Sequence, residues 1–155
     1  MHAKRFNDPP QTTVFQGASQ LTLDGKGRVS IPSRHRDALA AQCEGRLTLT
    51  RHPDGCLLLY PRPVWEARRE AIAALPYSAR ALQRLLLGNA SDTEIDSAGR
   101  VLVSSELRAA AGLERDVMLL GMATHFELWD VVRLAEHEKS QLGQTLPESA
   151  GSFSF

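Results

Sequence analysis

The chain has 155 residues, 43% hydrophobic and 23% charged, and its 18 Lys and Arg balance 18 Asp and Glu to a net charge of +0. Those values describe a folded chain of about one domain, exclude a disordered polypeptide, and argue against a general polyanion binder. No apolar run approaches the roughly 20 residues of a membrane helix, Met1–Pro10 lacks the apolar stretch of a secretory leader, and Cys43 and Cys56 are too few for a disulfide framework, so the expectation is a cytoplasmic chain with reduced thiols.

Residues 1–14 are polar, contain Pro9-Pro10 and show no periodicity, so they read as a flexible extension. Leu21 and Leu23, then Val29 and Ile31, alternate with polar neighbours on either side of Asp24-Gly25-Lys26-Gly27, which predicts a β-hairpin. Pro32 ends the strand and Ser33 offers an N-cap for a short helix to about Ala41. Leu47 and Leu49 open a strand, His52-Pro53-Asp54-Gly55 is a turn, and Cys56–Tyr60 returns. Val64–Leu75 carries Trp65, Arg68, Ile72 and Leu75 on one helical stripe, closed by Pro76. The second half repeats the order. A helix at about Ala79–Leu87 stops at Gly88-Asn89, and a hairpin turns at Asp96–Gly99. Ser104 or Ser105 caps a short helix that stops at Gly112, Val117–Gly121 and His125–Trp129 pair, and Val131–Gln141 closes. Residues 142–155, rich in Gly, Ser and polar side chains, read as a disordered tail.

The parallel order reflects an internal repeat. Ala18-Ser19-Gln20-Leu21-Thr22-Leu23-Asp24-Gly25-Lys26-Gly27-Arg28-Val29 returns 72 residues later as Ala90-Ser91-Asp92-Thr93-Glu94-Ile95-Asp96-Ser97-Ala98-Gly99-Arg100-Val101. Two copies are too few for a solenoid, and one copy is too small to bury its own sheet faces. The predicted architecture is therefore α+β, with halves 15–77 and 78–141 packed about a pseudo-two-fold axis. Charge divides unevenly between them: 11 basic and 7 acidic residues in 1–77, and the reverse in 78–155. The first half is the better candidate to face an anion.

Asp-x-x-Gly-Arg is the main site candidate. Gly27 and Gly99 permit positive φ, so a tight turn can present the next side chain. Arg28 and Arg100 would then stand at equivalent edges, where a guanidinium can fork onto a phosphate or onto guanine O6 and N7. Asp24 and Asp96 are read as shaping the turn, either by orienting the Arg or by bonding their own backbone. Lys26, present in the first copy only, is a candidate phosphate contact. Arg34, His35 and Arg36, with Arg108 matching Arg36, offer either extra phosphate contacts or, the leading reading, a structural role in which the Arg stem packs on the sheet and pairs with a carboxylate. Gly25-Lys26-Gly27-Arg28 leads into a strand and lacks the spacing of a phosphate-binding P-loop. No ligand set for a metal, no cofactor motif and no nucleophile signature is present, so the chain is read as a non-enzyme without metal or cofactor. Tyr60, Trp65 and Trp129 fall at core positions.

The motifs Phe15-Gln16-Gly17, Leu23-Asp24-Gly25-Lys26-Gly27-Arg28-Val29-Ser30-Ile31-Pro32, Gly88-Asn89-Ala90 and Ile95-Asp96-Ser97-Ala98-Gly99-Arg100-Val101-Leu102-Val103 resemble the MraZ family of bacterial transcriptional regulators, within the AbrB-like superfamily. Cys56–Pro61 and Phe126–Asp130 resemble family strands, and the match spans roughly 14–141. The resemblance implies a swapped-hairpin AbrB-like barrel and a ring-shaped homo-oligomer. It implies binding to double-stranded DNA at tandem G-rich direct repeats in the promoter of a division and cell-wall gene cluster that includes its own gene, repression there, and a nucleoid location. DNA contact falls by resemblance on Arg28 with Lys26 beside it, and on Arg100. Ala98 and Ser104 depart from the first copy and weaken the second motif. Val14 falls where the family's initiator Met is expected, which makes residues 1–13 an addition ahead of the usual start. A second reading is an AbrB-like protein-interaction or antitoxin module; its usual single motif and long arm fit this chain less well.

Overall fold

The computed structural model describes residues 14–154; of the extension expected over residues 1–14, all but Val14 lies outside them. Among the described residues, eight strands and six helices alternate in two similar series. The first is β1 (Phe15–Thr22), β2 (Arg28–Ser30), α1 (Ser33–Cys43), β3 (Arg46–Arg51), β4 (Leu57–Pro61) and α2 (Arg62–Ala73). A 3-10 turn at Tyr77–Ala79 leads into α3 (Arg80–Gly88), β5 (Ser91–Glu94), β6 (Arg100–Leu102), α4 (Ser105–Ala111), β7 (Asp116–Ala123), β8 (Phe126–Asp130) and α5 (Val131–Gln141). A single helical turn, α6 (Glu148–Gly151), follows in the exposed C-terminal region.

Two of the four expected hairpins form: β3 pairs with β4, and β7 with β8. The two hairpins expected around Asp24–Gly27 and Asp96–Gly99 do not. Both turns exist, but the strands leaving them diverge. β1 pairs with β7, β5 with β3, and β2 with β6, so each half gives strands to the other. Alternating apolar residues specify a strand and its buried face but not its partner, so the two strands leaving each turn can each find an edge in the other half instead of in one another. The result is an antiparallel six-stranded sheet, ordered β1-β7-β8-β4-β3-β5, and a separate two-stranded ribbon, β2-β6. No closed barrel is found among the described residues.

The exchange obeys a pseudo-two-fold axis. Val29 sits opposite Val101, its own repeat partner, so the axis passes through the middle of the ribbon. Leu21 opposite Val117 in one pairing matches Thr93 opposite Leu47 in the other, Thr93 being the repeat of Leu21.

Period-two burial builds three layers. Leu47, Leu49, Leu57, Leu59, Val117, Leu119, Phe126 and Leu128 face the ribbon's Val29 and Val101, with Leu39 of α1 and Leu107 of α4 in the same core. The opposite sheet face carries Leu58 and Tyr60 against Trp65 of α2, and Trp129 against Leu134 of α5. Each fully buried Val of the ribbon contributes about 1.5–3 kcal/mol relative to exposure, so the ribbon is pinned by its inner face while its outer face stays free for other work.

The two short helices differ at their starts. Ser104 caps α4, its hydroxyl accepting the Leu107 N–H at 3.3 Å. Pro32, not Ser33, occupies the N-cap position of α1, where no side chain closes the first turn. Proline's fixed φ already suits the chain entering a helix, which leaves Ser33 as the first helical residue.

Candidate nucleic-acid interface

The candidate site grows from the Asp-x-x-Gly-Arg turns. In the first, the Gly27 N–H donates to the Asp24 carbonyl (3.0 Å) and the Asp24 N–H donates to the Arg28 carbonyl (2.9 Å). Asp24 Oδ1 accepts from the backbone N–H groups of Lys26 and Arg28, both at 2.9 Å, and Oδ2 accepts from Arg28 Nε at 2.8 Å. The second turn repeats every contact: Asp96 Oδ1 accepts from the Ala98 and Arg100 N–H groups at 2.9 Å, and Oδ2 from Arg100 Nε at 3.3 Å. One carboxylate thus closes the turn with one oxygen and holds the guanidinium with the other. The Arg28 N–H chiefly holds the Asp24 carboxyl down, to about 2; burial opposes this, and the Arg28 side chain and Lys26 N–H reinforce it. The Arg100 N–H does the same for Asp96.

Both ion pairs are partly solvated, so they add little stability. Their consequence is positional. Asp occupies Nε alone, and the Nη groups, which carry the fork that recognises a phosphate or guanine, take no part in that contact.

Gly27 and Gly99 adopt φ of +81° and +80° and are buried. Each lies beneath an arginine of the other half. A Cβ at Gly27 would stand 2.6 Å from Arg108 Nε, and one at Gly99 would run into the Arg36 guanidinium. Arg36 and Arg108 are therefore structural, clamping one half's turn with the other half's helix. The expected carboxylate partner is replaced, for Arg108, by the Val103 carbonyl (3.1 Å). Arg34 donates to Ser19 Oγ (2.8 Å) and to His35 Nε2 (3.2 Å), while the His35 ring packs edge-on against Phe15 and Phe126, where burial and then the Arg34 charge lower its pKa.

The ribbon brings the two turns together. In an antiparallel pair, residues directly opposite share a face. Arg28 lies opposite Leu102, and Ser30 opposite Arg100, so these four side chains occupy the face away from buried Val29 and Val101. The turns stand at opposite ends of the ribbon, with exposed Lys26 at one and exposed Ala98 at the other. A two-stranded ribbon is one of the two elements that the roughly 12 Å major groove of duplex DNA admits. Because β2 comes from the basic half and β6 from the acidic one, the charge division along the sequence does not become two separate faces here.

Other chemistry finds less support in the geometry. Burial pushes the thiols of Cys43 and Cys56 up, so neither is a thiolate near neutral pH. Among the described residues no group of three His, Cys, Asp or Glu could hold a metal ion, and no helix is long and apolar enough to cross a membrane.

Two residues essential to the frame escape sequence reasoning. Arg62 donates to the Leu47 carbonyl through Nε (3.3 Å) and Nη2 (2.9 Å) and to the Thr93 carbonyl (3.0 Å), bridging the exchanged strands β3 and β5. Gln83, buried on α3, donates to the carbonyls of Ile72 and Leu75 at the end of α2. Neither lies in the repeat, and their targets are main-chain carbonyls brought near only by the fold.

The chain matches a family model described as "MraZ protein, putative antitoxin-like" twice, over residues 14–86 and 86–141. It is 64% identical over 142 residues to a protein of Herminiimonas arsenicoxydans named "Transcriptional regulator MraZ", covering 92% of this chain and 100% of the relative. Proteins of the same name in Bordetella pertussis and Ralstonia pickettii are 66% and 61% identical, each over 92% of this chain and 100% of theirs.

Proposed function

We propose, from the premise that this chain belongs to the MraZ family, that it is a transcriptional regulator that binds double-stranded DNA through the outer face of the β2–β6 ribbon. The observation that carries the reading is the paired Asp-x-x-Gly-Arg turn: two carboxylates each hold one arginine by Nε at either end of a solvent-facing ribbon. Arg28 reads a base edge or phosphate, Lys26 adds a phosphate contact, and Arg100 repeats the Arg28 contact at the other end.

The finer reading follows the resemblance. The exchange of strands between the halves supports a swapped-hairpin AbrB-like architecture. The chain assembles into a ring, binds tandem G-rich direct repeats in the promoter of a division and cell-wall gene cluster, represses its own operon there, and resides in the cytoplasm on the nucleoid. Ring assembly also accounts for a neutral subunit. A few cationic contacts per chain bind weakly, but several linked subunits on several sites gain roughly 10²–10⁴ in effective affinity. The family name in its relatives indicates regulation rather than catalysis, and no catalytic step is assigned.

The test is a binding titration of the wild type and Arg28→Ala on duplex DNA from upstream of the gene, at two salt concentrations, beside a scrambled duplex. Tight, salt-sensitive binding that Arg28→Ala abolishes, with the oligomer unchanged in sedimentation, is the expected result. Equal binding to the scrambled duplex would replace this reading with that of a protein-interaction module.

A further inference from the structure

Across the ribbon and its two turns the pseudo-two-fold symmetry is broken at three positions, Gly25 against Ser97, Lys26 against Ala98 and Ser30 against Leu102, and the last two set the ends apart in charge and in apolar surface. The symmetric residues are Arg28 and Arg100, and Val29 and Val101. Lys26 has Ala98 as its repeat partner, and Ser30 has Leu102. Because the strands run antiparallel, Leu102 sits beside Arg28 at the Lys26 end, while Ser30 sits beside Arg100 at the Ala98 end. One end therefore presents ammonium, guanidinium and isobutyl groups. The other presents methyl, guanidinium and two hydroxyl groups, those of Ser97 and Ser30.

Leu102 is 53% exposed on the outer face of a two-stranded ribbon whose inner face already supplies the core. Its position contributes nothing to the interior, which Val101 and Val103 fill from the other side of the strand. An apolar side chain held within one cross-strand step of an arginine matches the thymine C5-methyl, the one apolar group on the major-groove edge of a base pair. A serine at the equivalent place can exchange a hydrogen bond with any base but cannot bury that methyl.

We infer that Leu102 is a specificity-determining residue, that it packs on a thymine methyl next to the base contacted by Arg28, and that the unequal ends make the ribbon read a non-palindromic duplex in one fixed orientation. This rests on the ribbon being the DNA-binding face. Arg28 and Arg100 supply attraction at both ends without choosing a direction. Leu102 with Lys26, set against Ser30 with Ala98, supplies the direction.

The experiment selects bound duplexes from a randomised pool with three proteins: wild type, Leu102→Ser, and the triple variant Gly25→Ser with Lys26→Ala and Leu102→Ser, which gives the two turns and the outer ribbon face the same residues at both ends. The wild type recovers a non-palindromic motif containing a thymine. Replacing that thymine by deoxyuridine weakens wild-type binding about fourfold, the loss of one buried methyl. Leu102→Ser is insensitive to the replacement, and the triple variant recovers sites without a preferred direction. Circular dichroism confirms that the exposed substitutions leave the fold intact. Equal deoxyuridine sensitivity in wild type and Leu102→Ser, or a palindromic wild-type motif, overturns the inference while leaving the regulator reading standing, provided Arg28→Ala still abolishes binding. If Arg28→Ala binds the selected duplex like the wild type, the ribbon is not the reading face and both fail.

Discussion

Arg108 lies across Gly27 so closely that a Cβ there would stand 2.6 Å from its Nε, and Arg36 covers Gly99 in the same way from the opposite half. The glycine is thus favoured twice, by a left-handed φ and by the arginine head group that lies over it.

Gly27→Ala should lower stability by about 1–3 kcal/mol, from the left-handed backbone alone and before any movement of Arg108. Gly25, in the same turn, has open space within 4 Å of where a methyl would project, so Gly25→Ala should stay within about 0.5 kcal/mol of wild type. Urea unfolding of the two variants compares them; equal midpoints would refute the clamp.

Arg62→Met removes three hydrogen bonds that tie β3 to β5. A charged donor serving main-chain carbonyls is worth about 1.5–3 kcal/mol, and the loss should fall on the exchange between halves. Hydrogen exchange should show faster opening of Ser91–Glu94 than of β7–β8. Uniform acceleration across both would show that Arg62 supports the whole chain instead.

Acid should weaken the turns before the core. The Asp24 carboxyl is held at about 2, below its ordinary 3.8. Its charged form is therefore bound more tightly in the folded chain, and the stability it confers is complete above about 3.8 and lost as pH falls toward 2. Asp24→Asn should flatten this limb of a plot of unfolding midpoint against pH. An unchanged slope would mean other carboxylates carry it.

A second pH dependence has its origin in His35. Burial against Phe15 and Phe126 lowers its pKa from 6.5, so the unfolded chain takes up the proton first. Stability is then complete above 6.5 and declines as pH falls below it. His125, also lowered by burial, acts in the same direction. His35→Phe should reduce the loss between neutral pH and about pH 5, read as thermal midpoints, and leave the remainder that His125 supplies. An identical pH profile would remove His35 from the account.

How far the sequence foretold this arrangement depends on the range of the interaction. The repeat announced two equivalent halves, alternation located β2 and β6, and the turn residues located both Asp-x-x-Gly-Arg bends. Gly112 ended α4 with a left-handed cap, as glycine at that place suggests. The pairing of β2 with β6 was not legible, because Asp24–Gly27 has the same turn chemistry whether its strands close on each other or separate. The roles of Arg36 and Arg108 were legible only as packing; that each would cover the other half's glycine follows from the exchange. Arg62 and Gln83 bind carbonyls, which every residue has, so no side-chain pattern could mark their partners.

The exchange of strands also changes what a half of this chain is. β1 and β3 leave the ribosome well before β7 and β5, which complete their ladders, so the early product carries open edges and must wait for the remainder of its sheet. The two sequence copies are therefore not two domains in series but the interlocked members of a dimer joined into one polypeptide. A protease cut at the exposed Tyr77–Ala79 turn would nick the molecule without dividing it. The fragments would stay clasped through three pairs of exchanged strands and the β4–β8 pairing, and each, once separated, would lack the partner that makes it a fold.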